Sequence, residues 1–342
     1  MSEPGTAEQL RESHAETDGA AGRLLRVVFV VCPSYHGATL LALLLNNHSK
    51  VTALGDTLPH RGAAHVCACG EPVDRCSFWQ GISRCLDTSR FASLPLLLPI
   101  LPWPLTRRQM EGSALSLSRN GRINRAAGRV AGKVVDLGAP LAWRLRPQVV
   151  EQFAGLYRSF YRLVLDTHGT SLFVDGSKSW RRAAVLTRAL QPEADIKIVH
   201  LVRDPRGFAL SRRGHGGAPL RESGWLWADL HARMESLRGL SPYLSMRYED
   251  LCSDPEAELL RLFDFLQIAP EPIVTAPKYP AKHHLIGNNM LRTFDGQVKL
   301  DTRWRTELTG AEQHTVLDCA GEFARRMGYE SLEGPSARAS LT

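Results

Sequence analysis

VVFVVCPSYHGATLLALLLN, residues Val27 to Asn46, is the stretch on which the fold turns. Val27 to Val31 is an unbroken β-branched and aromatic run, the pattern of a strand buried on both faces. Thr39 to Leu45 then reads as a helix whose apolar side lies on a sheet. The turn between them carries Gly37, which can take a positive φ or bring backbone close to a ligand, and Thr39, whose hydroxyl sits beside the unsatisfied N–H groups of the helix start. A strand, a tight turn and a helix start in that order make a nest for an anion, most simply a phosphate.

Two familiar nucleotide motifs are excluded. A nucleotide-hydrolysing P-loop needs G-x-x-x-x-G-K-[ST], and Tyr35-His36-Gly37-Ala38-Thr39 has no lysine after its glycine. A lone glycine does not supply the three positions of the dinucleotide fingerprint.

At 342 residues with 44% apolar and 23% charged content, the chain has the composition of a globular α/β protein. Its net charge of +7 favours anionic ligands. That excess is not gathered into a long basic run, so no nucleic-acid partner is expected. Residues 1–22 lack an apolar signal core, and they and 330–342 are expected to be solvated tails around one domain at 23–329. The run from Phe91 to Leu105 is broken by four prolines and is unsuited to a membrane span, although it suits peripheral contact with a membrane or lipid. A cytoplasmic location is the expectation. Residues 90–147 change character and read as an insertion or lid that sets acceptor specificity.

The other elements follow from periodicity. Lys50 to Leu54 reads as a second strand ending at Gly55-Asp56, and an acid just past a strand end suits a ligand crevice. Pro147 to Thr167 reads as an amphipathic helix, and Ser171 to Val174 as a strand delivering Asp175-Gly176-Ser177-Lys178 ahead of a helix over Arg181 to Leu190. Ile196 to Val202 is the second strong strand. It runs into Arg203-Asp204-Pro205-Arg206-Gly207, with Ser211 a short helical advance further on. The Arg203 fork and the Ser211 hydroxyl can grip one phosphate. Arg213 to Gly217 reads as a glycine-rich loop. Helices are expected over Trp225 to Leu237, Pro255 to Leu266 and Ala311 to Met327, with a strand at Tyr243 to Arg247 and a capping role for Glu249 and Asp250.

Lys282, His283, His284 and Arg292 bracket Gly287-Asn288-Asn289 and read as phosphate contacts. Seven cysteines include the local set Cys67, Cys69, Cys76 and Cys85. Bound zinc, a disulfide and free structural thiols all remain open for it, because C-x-C-x6-C-x8-C is not a usual knuckle spacing.

Together these residues resemble the sulfotransferases that use 3′-phosphoadenosine 5′-phosphosulfate (PAPS). That family opens with strand, R-S-G-S-T-L-L loop and helix, matched by Tyr35 to Leu41. It continues with R-D-P-R and a serine eight residues after the first arginine, matched by Arg203 to Arg206 and Ser211. D-S-S-K is matched by Asp175 to Lys178, and a late H-x-I-x-G-N by His284 to Asn288. Bacterial members also show C-x-C-G followed by C-x-F-W, seen here from Cys67 to Trp79.

The resemblance implies an α/β fold with a central, mainly parallel sheet flanked by helices. It implies transfer of a sulfonate from PAPS to a hydroxyl of a small molecule, glycoside or lipid, with adenosine 3′,5′-bisphosphate (PAP) released, no metal required, and a homodimer as one arrangement. Tyr35, His36, Gly37, Ala38, Thr39 and Leu40 would cradle the 5′-phosphosulfate. Arg203 and Ser211 would take the 3′-phosphate, with Gly287, Asn288 and Arg292 closing over that end. Lys178 would stabilise the leaving phosphate, and Asp56 or His36 would serve as base. Tyr35 departs from the family, which has a basic residue there. The alternatives are a nucleotide-binding scaffold or inactive family member, and a P-loop kinase or hydrolase.

Overall fold

The computed structural model describes residues 24–55, 66–86, 147–272, 282–285, 290 and 294–330. The expected insertion and both expected tails therefore lie almost wholly outside the described residues. Asp56, Gly287, Asn288 and Arg292 lie outside them as well.

Five strands form one parallel sheet in the order β2-β3-β1-β4-β5. They are β1 (Leu25–Val31), β2 (Val51–Ala53), β3 (Leu172–Lys178), β4 (Ala194–Val202) and β5 (Tyr243–Arg247). Between and after them run α1 (Ala38–Asn46), α2 (Ser77–Cys85), α3 (Pro147–His168), α4 (Trp180–Leu190), α5 (Pro205–Gly216), α6 (Leu220–Glu235), α7 (Tyr248–Ser253), α8 (Pro255–Leu266), α9 (Trp304–Glu307) and α10 (Gly310–Arg326).

β1 is central because its residues feed two cores with the strand's own period of two. Leu25, Val27, Phe29 and Val31 face one apolar layer with α2, α3 and α4. Val28 and Val30 face the other with α1, α7 and α8. Leu40, Leu41, Leu43, Leu44 and Leu45 are all buried, so α1 is apolar around its whole circumference and can exist only inside the fold. A third layer, built from Phe208, Trp227, Phe323 and Tyr329, joins α5, α6 and α10 beyond the end of β4.

This strand order puts a crossover reversal beside β1. The chain leaves β1 toward β2 and β3 on one side, then returns to β4 on the other, leaving a crevice at the carboxyl ends where ligands of open parallel sheets bind. Val31 pairs in register with Lys178 of β3 and His200 of β4, so the residues that follow these three strands converge on that crevice.

Two sequence readings are corrected here. Asp175 to Lys178 do not follow the strand but belong to it, extending β3 past the end expected at Val174, because it stays paired with β1 through Lys178 across an irregularity near Phe29–Val31. Arg213 to Gly217 is not a loop either: α5 continues through Gly216 and ends on Gly217 at φ 62°, whose N–H donates to the Arg213 carbonyl. The left-handed turn that only glycine takes easily falls at the last glycine of the run, not the first.

Asp175 is anchored below the crevice. It accepts from Tyr161 Oη at 2.8 Å and from the fully buried Arg182 at 3.2 Å. Asp175→Ala is expected to cost about 3–5 kcal/mol, because it leaves a buried guanidinium without its carboxylate. Asp195→Ala removes a partly exposed partner of Arg26 and is expected to cost about 1 kcal/mol or less. Urea unfolding of the two variants checks the contrast.

Candidate functional site: an anion cradle at the strand ends

The turn after β1 places Tyr35 at φ 67° and Gly37 at φ 87°, both left-handed. Gly37 is the N-cap of α1 and offers no side chain to the helix start, so the backbone N–H groups at Ala38, Thr39 and Leu40 and the positive end of the helix are directed at the crevice. Glycine is required here twice over. Its φ is unfavourable for other residues, and a Cβ would lie 2.5 Å from Cδ2 of the Tyr248 ring.

Arg203, at the end of β4, closes the other side. Its Nη1 donates to the Tyr35 carbonyl at 2.6 Å and its Nη2 to Asp301 at 2.9 Å, while the guanidinium lies over the Tyr248 ring at 4.7 Å. One aromatic ring thus separates Gly37 from Arg203 and fixes their spacing. Asp301 also accepts from Arg303, and these two guanidinium groups, Arg303 first, hold its carboxyl well below the usual range. The Ser211 hydroxyl, one turn into α5 from Gly207, donates to the Gly207 carbonyl at 2.9 Å, and it reaches a phosphate only by turning that hydrogen away from the carbonyl.

The rest of the R-D-P-R segment is internal bracing. Asp204 caps α5 and takes a two-pronged ion pair from Arg206, whose guanidinium stacks on Trp304 at 3.8 Å. The Asp204 N–H donates to buried Glu249, which also accepts from Tyr329. The expected capping role of the acids after β5 therefore holds for Glu249.

Lys178 ends β3 at φ 64°, level with Val31. It and Arg203 are close enough for their charges to disfavour protonation of His36. His36 itself is buried, and burial, the largest cause, pushes its ionisation down to about 3. Both of its ring nitrogens have partners inside the protein: Nδ1 faces the Ser34 carbonyl at 3.0 Å and Nε2 faces His231 Nε2 at 3.1 Å. His231 Nδ1 in turn meets His200 Nε2 at 2.7 Å, and His200 Nδ1 meets Tyr243 Oη at 2.6 Å.

Elimination gives the tautomers along this row. A carbonyl only accepts, so His36 must carry its proton on Nδ1. Neutral His36 then accepts at Nε2 from His231, neutral His231 accepts at Nδ1 from His200, and His200 accepts from Tyr243. Sequence reasoning missed the row because its members come from a loop, a helix and a strand. His231 one turn after Trp227, on the buried side of α6, is the signal that could have found it. Tyr248, Asp301 and Arg303 were missed as well, since nothing in their local pattern separates them from ordinary surface and cap residues.

The basic cluster near residue 282 reads differently in three dimensions. Lys282 donates to the Val51 carbonyl at 2.6 Å, and His283 Nδ1 sits 3.4 Å from the sulfurs of both Cys67 and Cys76. Those two residues are therefore corrected from phosphate contacts to structural ties. His284 is buried against Gly55, where a Cβ would strike its ring.

No protein-family model matches the chain. Over 181 residues it is 31% identical to carbohydrate sulfotransferase 6 of Homo sapiens, covering 44% of this chain and 46% of that protein. Over 215 residues it is 25% identical to carbohydrate sulfotransferase 2 of Mus musculus, covering 48% and 41%. The chain thus spans less than half the length of these curated relatives. Among solved structures, the sulfotransferase domain from the Synechococcus PCC 7002 olefin synthase aligns with 89% of this chain and 96% of its own, at 18% identity and a TM-score of 0.47.

Burial lowers the ionisation of His36, His168, His200 and His231 from the ordinary value of 6.5. The folded protein therefore binds fewer protons than the unfolded chain once pH falls below that value. The stability these neutral rings contribute is complete above about pH 6.5 and is lost toward pH 4, by up to about 1.4 kcal/mol per pH unit per histidine. Urea unfolding between about pH 7 and pH 5 is expected to show this slope, and His231→Gln is expected to reduce it.

Proposed function

We propose that this protein transfers a sulfonate group from PAPS to a hydroxyl of a small molecule, glycoside or lipid. The observation that carries the reading is the Arg203 guanidinium on the carbonyl of Tyr35, beside the glycine-started helix. It puts a fixed cation and a backbone anion nest on one crevice at the strand ends. A nucleotide with a phosphate at each end needs that pairing. The sequence similarity to carbohydrate sulfotransferases supports the same reading for the part of the chain that it covers.

PAPS, when bound, supplies the sulfonate and departs as PAP. The N–H groups at Ala38, Thr39 and Leu40 hold the phosphosulfate end through the close approach that Gly37 permits. Arg203, with Ser211 beside it, binds the 3′-phosphate, for which Asp301 keeps the guanidinium oriented. Lys178 would supply positive charge to the leaving phosphate of bound PAPS. Asp56 takes the proton of the acceptor hydroxyl. His36 holds the loop in place from behind, because its nitrogens are engaged with Ser34 and His231. Gly287, Asn288 and Arg292, which lie outside the described residues, would by the resemblance complete the nucleotide end. The location proposed for this reaction is the cytoplasm.

Incubation with sulfur-labelled PAPS and a panel of phenols, alcohols, glycosides and lipids, read by transfer of label and a mass gain of one SO3, tests the activity. Arg203→Lys is expected to weaken PAP binding about 10–100-fold in calorimetry, the effect of losing a charge-assisted fork. Lys178→Met and Asp56→Asn are expected to lower kcat at saturating PAPS and leave PAP affinity nearly intact. Near-normal turnover of Asp56→Asn would remove Asp56 as the base.

A further inference from the structure

We propose that Cys67, Cys69, Cys76 and His283 bind a structural zinc ion, a centre separate from the anion cradle. Their ligand atoms all lie within 4.8 Å of one another, a span that encloses a single ion. The Cys69 and Cys76 sulfurs are 3.7 Å apart, and His283 Nδ1 is 3.4 Å from the sulfurs of Cys67 and Cys76. A tetrahedral ion with Zn–S of about 2.3 Å and Zn–N of about 2.0–2.1 Å sets these edges at about 3.8 Å and about 3.6 Å. Three sulfurs and one imidazole nitrogen in that geometry suit zinc better than an oxygen-seeking cation.

The backbone around the cluster is arranged as a ligand support. Gly70, at φ 93°, turns the chain directly after Cys69, and its N–H donates back to the Cys67 carbonyl at 2.9 Å. Cys76 sits at the N-terminus of α2. The His283 ring is clamped flat on Phe78, 4.5 Å away with 7° between the planes, leaving Nδ1 aimed at the sulfurs.

The sequence spacing alone pointed to Cys85 as a fourth thiol. Cys85 stands outside this group, and the fourth donor comes instead from a segment more than two hundred residues later in the chain, which is why the local spacing matched no usual knuckle. The ion would pin that segment to residues 66–76. Leu285 continues it by donating its N–H to the Leu54 carbonyl at 2.9 Å, and Ala68 donates to the His284 carbonyl at 2.8 Å. The centre therefore fastens the edge of the sheet at β2, where Gly55 leads toward Asp56.

Elemental analysis of the untagged, full-length protein after dialysis against metal-free buffer is expected to give stoichiometric zinc. Cys69→Ser and His283→Ala are each expected to lose it, whereas Cys85→Ser keeps it. A readout on the unaltered chain is thiol alkylation. Cys69 and Cys85 are both exposed, so without a metal both should react with iodoacetamide. With zinc bound, Cys69 is expected to be protected while Cys85 reacts, and a chelator is expected to expose Cys69 and lower the melting temperature. Metal-free protein, a Cys69–Cys76 disulfide, a different stoichiometric metal, or equal alkylation of Cys69 and Cys85 in zinc-replete protein would each overturn the proposal. Sulfonate transfer is read separately, so either result can stand without the other.

Discussion

The guanidinium of Arg203 on the main-chain oxygen of Tyr35 is the contact on which the crevice depends. It ties the end of β4 to the loop after β1, two segments far apart in the chain, at 2.6 Å. A largely buried cation is costly to desolvate, and here the cost is offset by Asp301, the Tyr35 carbonyl and the face of Tyr248. Because these partners are in place before any ligand arrives, the arginine needs little reordering to meet a phosphate. The same contact restrains Tyr35 at a left-handed φ that a tyrosine seldom adopts.

Behind that loop the protein spends its polar groups on rigidity. The Asp204–Arg206 pair, Glu249 with Tyr329, and Asp175 with Arg182 and Tyr161 are buried polar networks at or near the ends of β4, β5 and β3. Each holds a strand end that leads to the crevice. No described helix is long and apolar enough to cross a membrane, and the described apolar surface is largely consumed by the two sheet layers and the α5, α6 and α10 layer.

Much of this was legible in the chain because it depends on local pattern. The runs at Val27 and Ile196 marked the central strands, Gly37 marked the turn, and Pro255 marked a helix start at its first position. What stayed hidden was either a long-range pairing or a choice among equivalent residues. Nothing local tells that His283 leaves its basic neighbours for a cysteine cluster, or that Tyr248 is the ring pressed against Gly37. The end of α5 was misplaced because three glycines offered a stop and sequence cannot say which of them takes the left-handed turn.

The row of imidazoles behind Tyr35 has a direction, and its direction limits what it can do. Every donor along it points from Tyr243 toward Ser34, where the last partner is an oxygen with no hydrogen to give or exchange. A charge entering at the Tyr243 end would have no outlet into the crevice. The row is thus an insulating strut rather than a conductor, and its neutral rings leave the floor of the cradle uncharged.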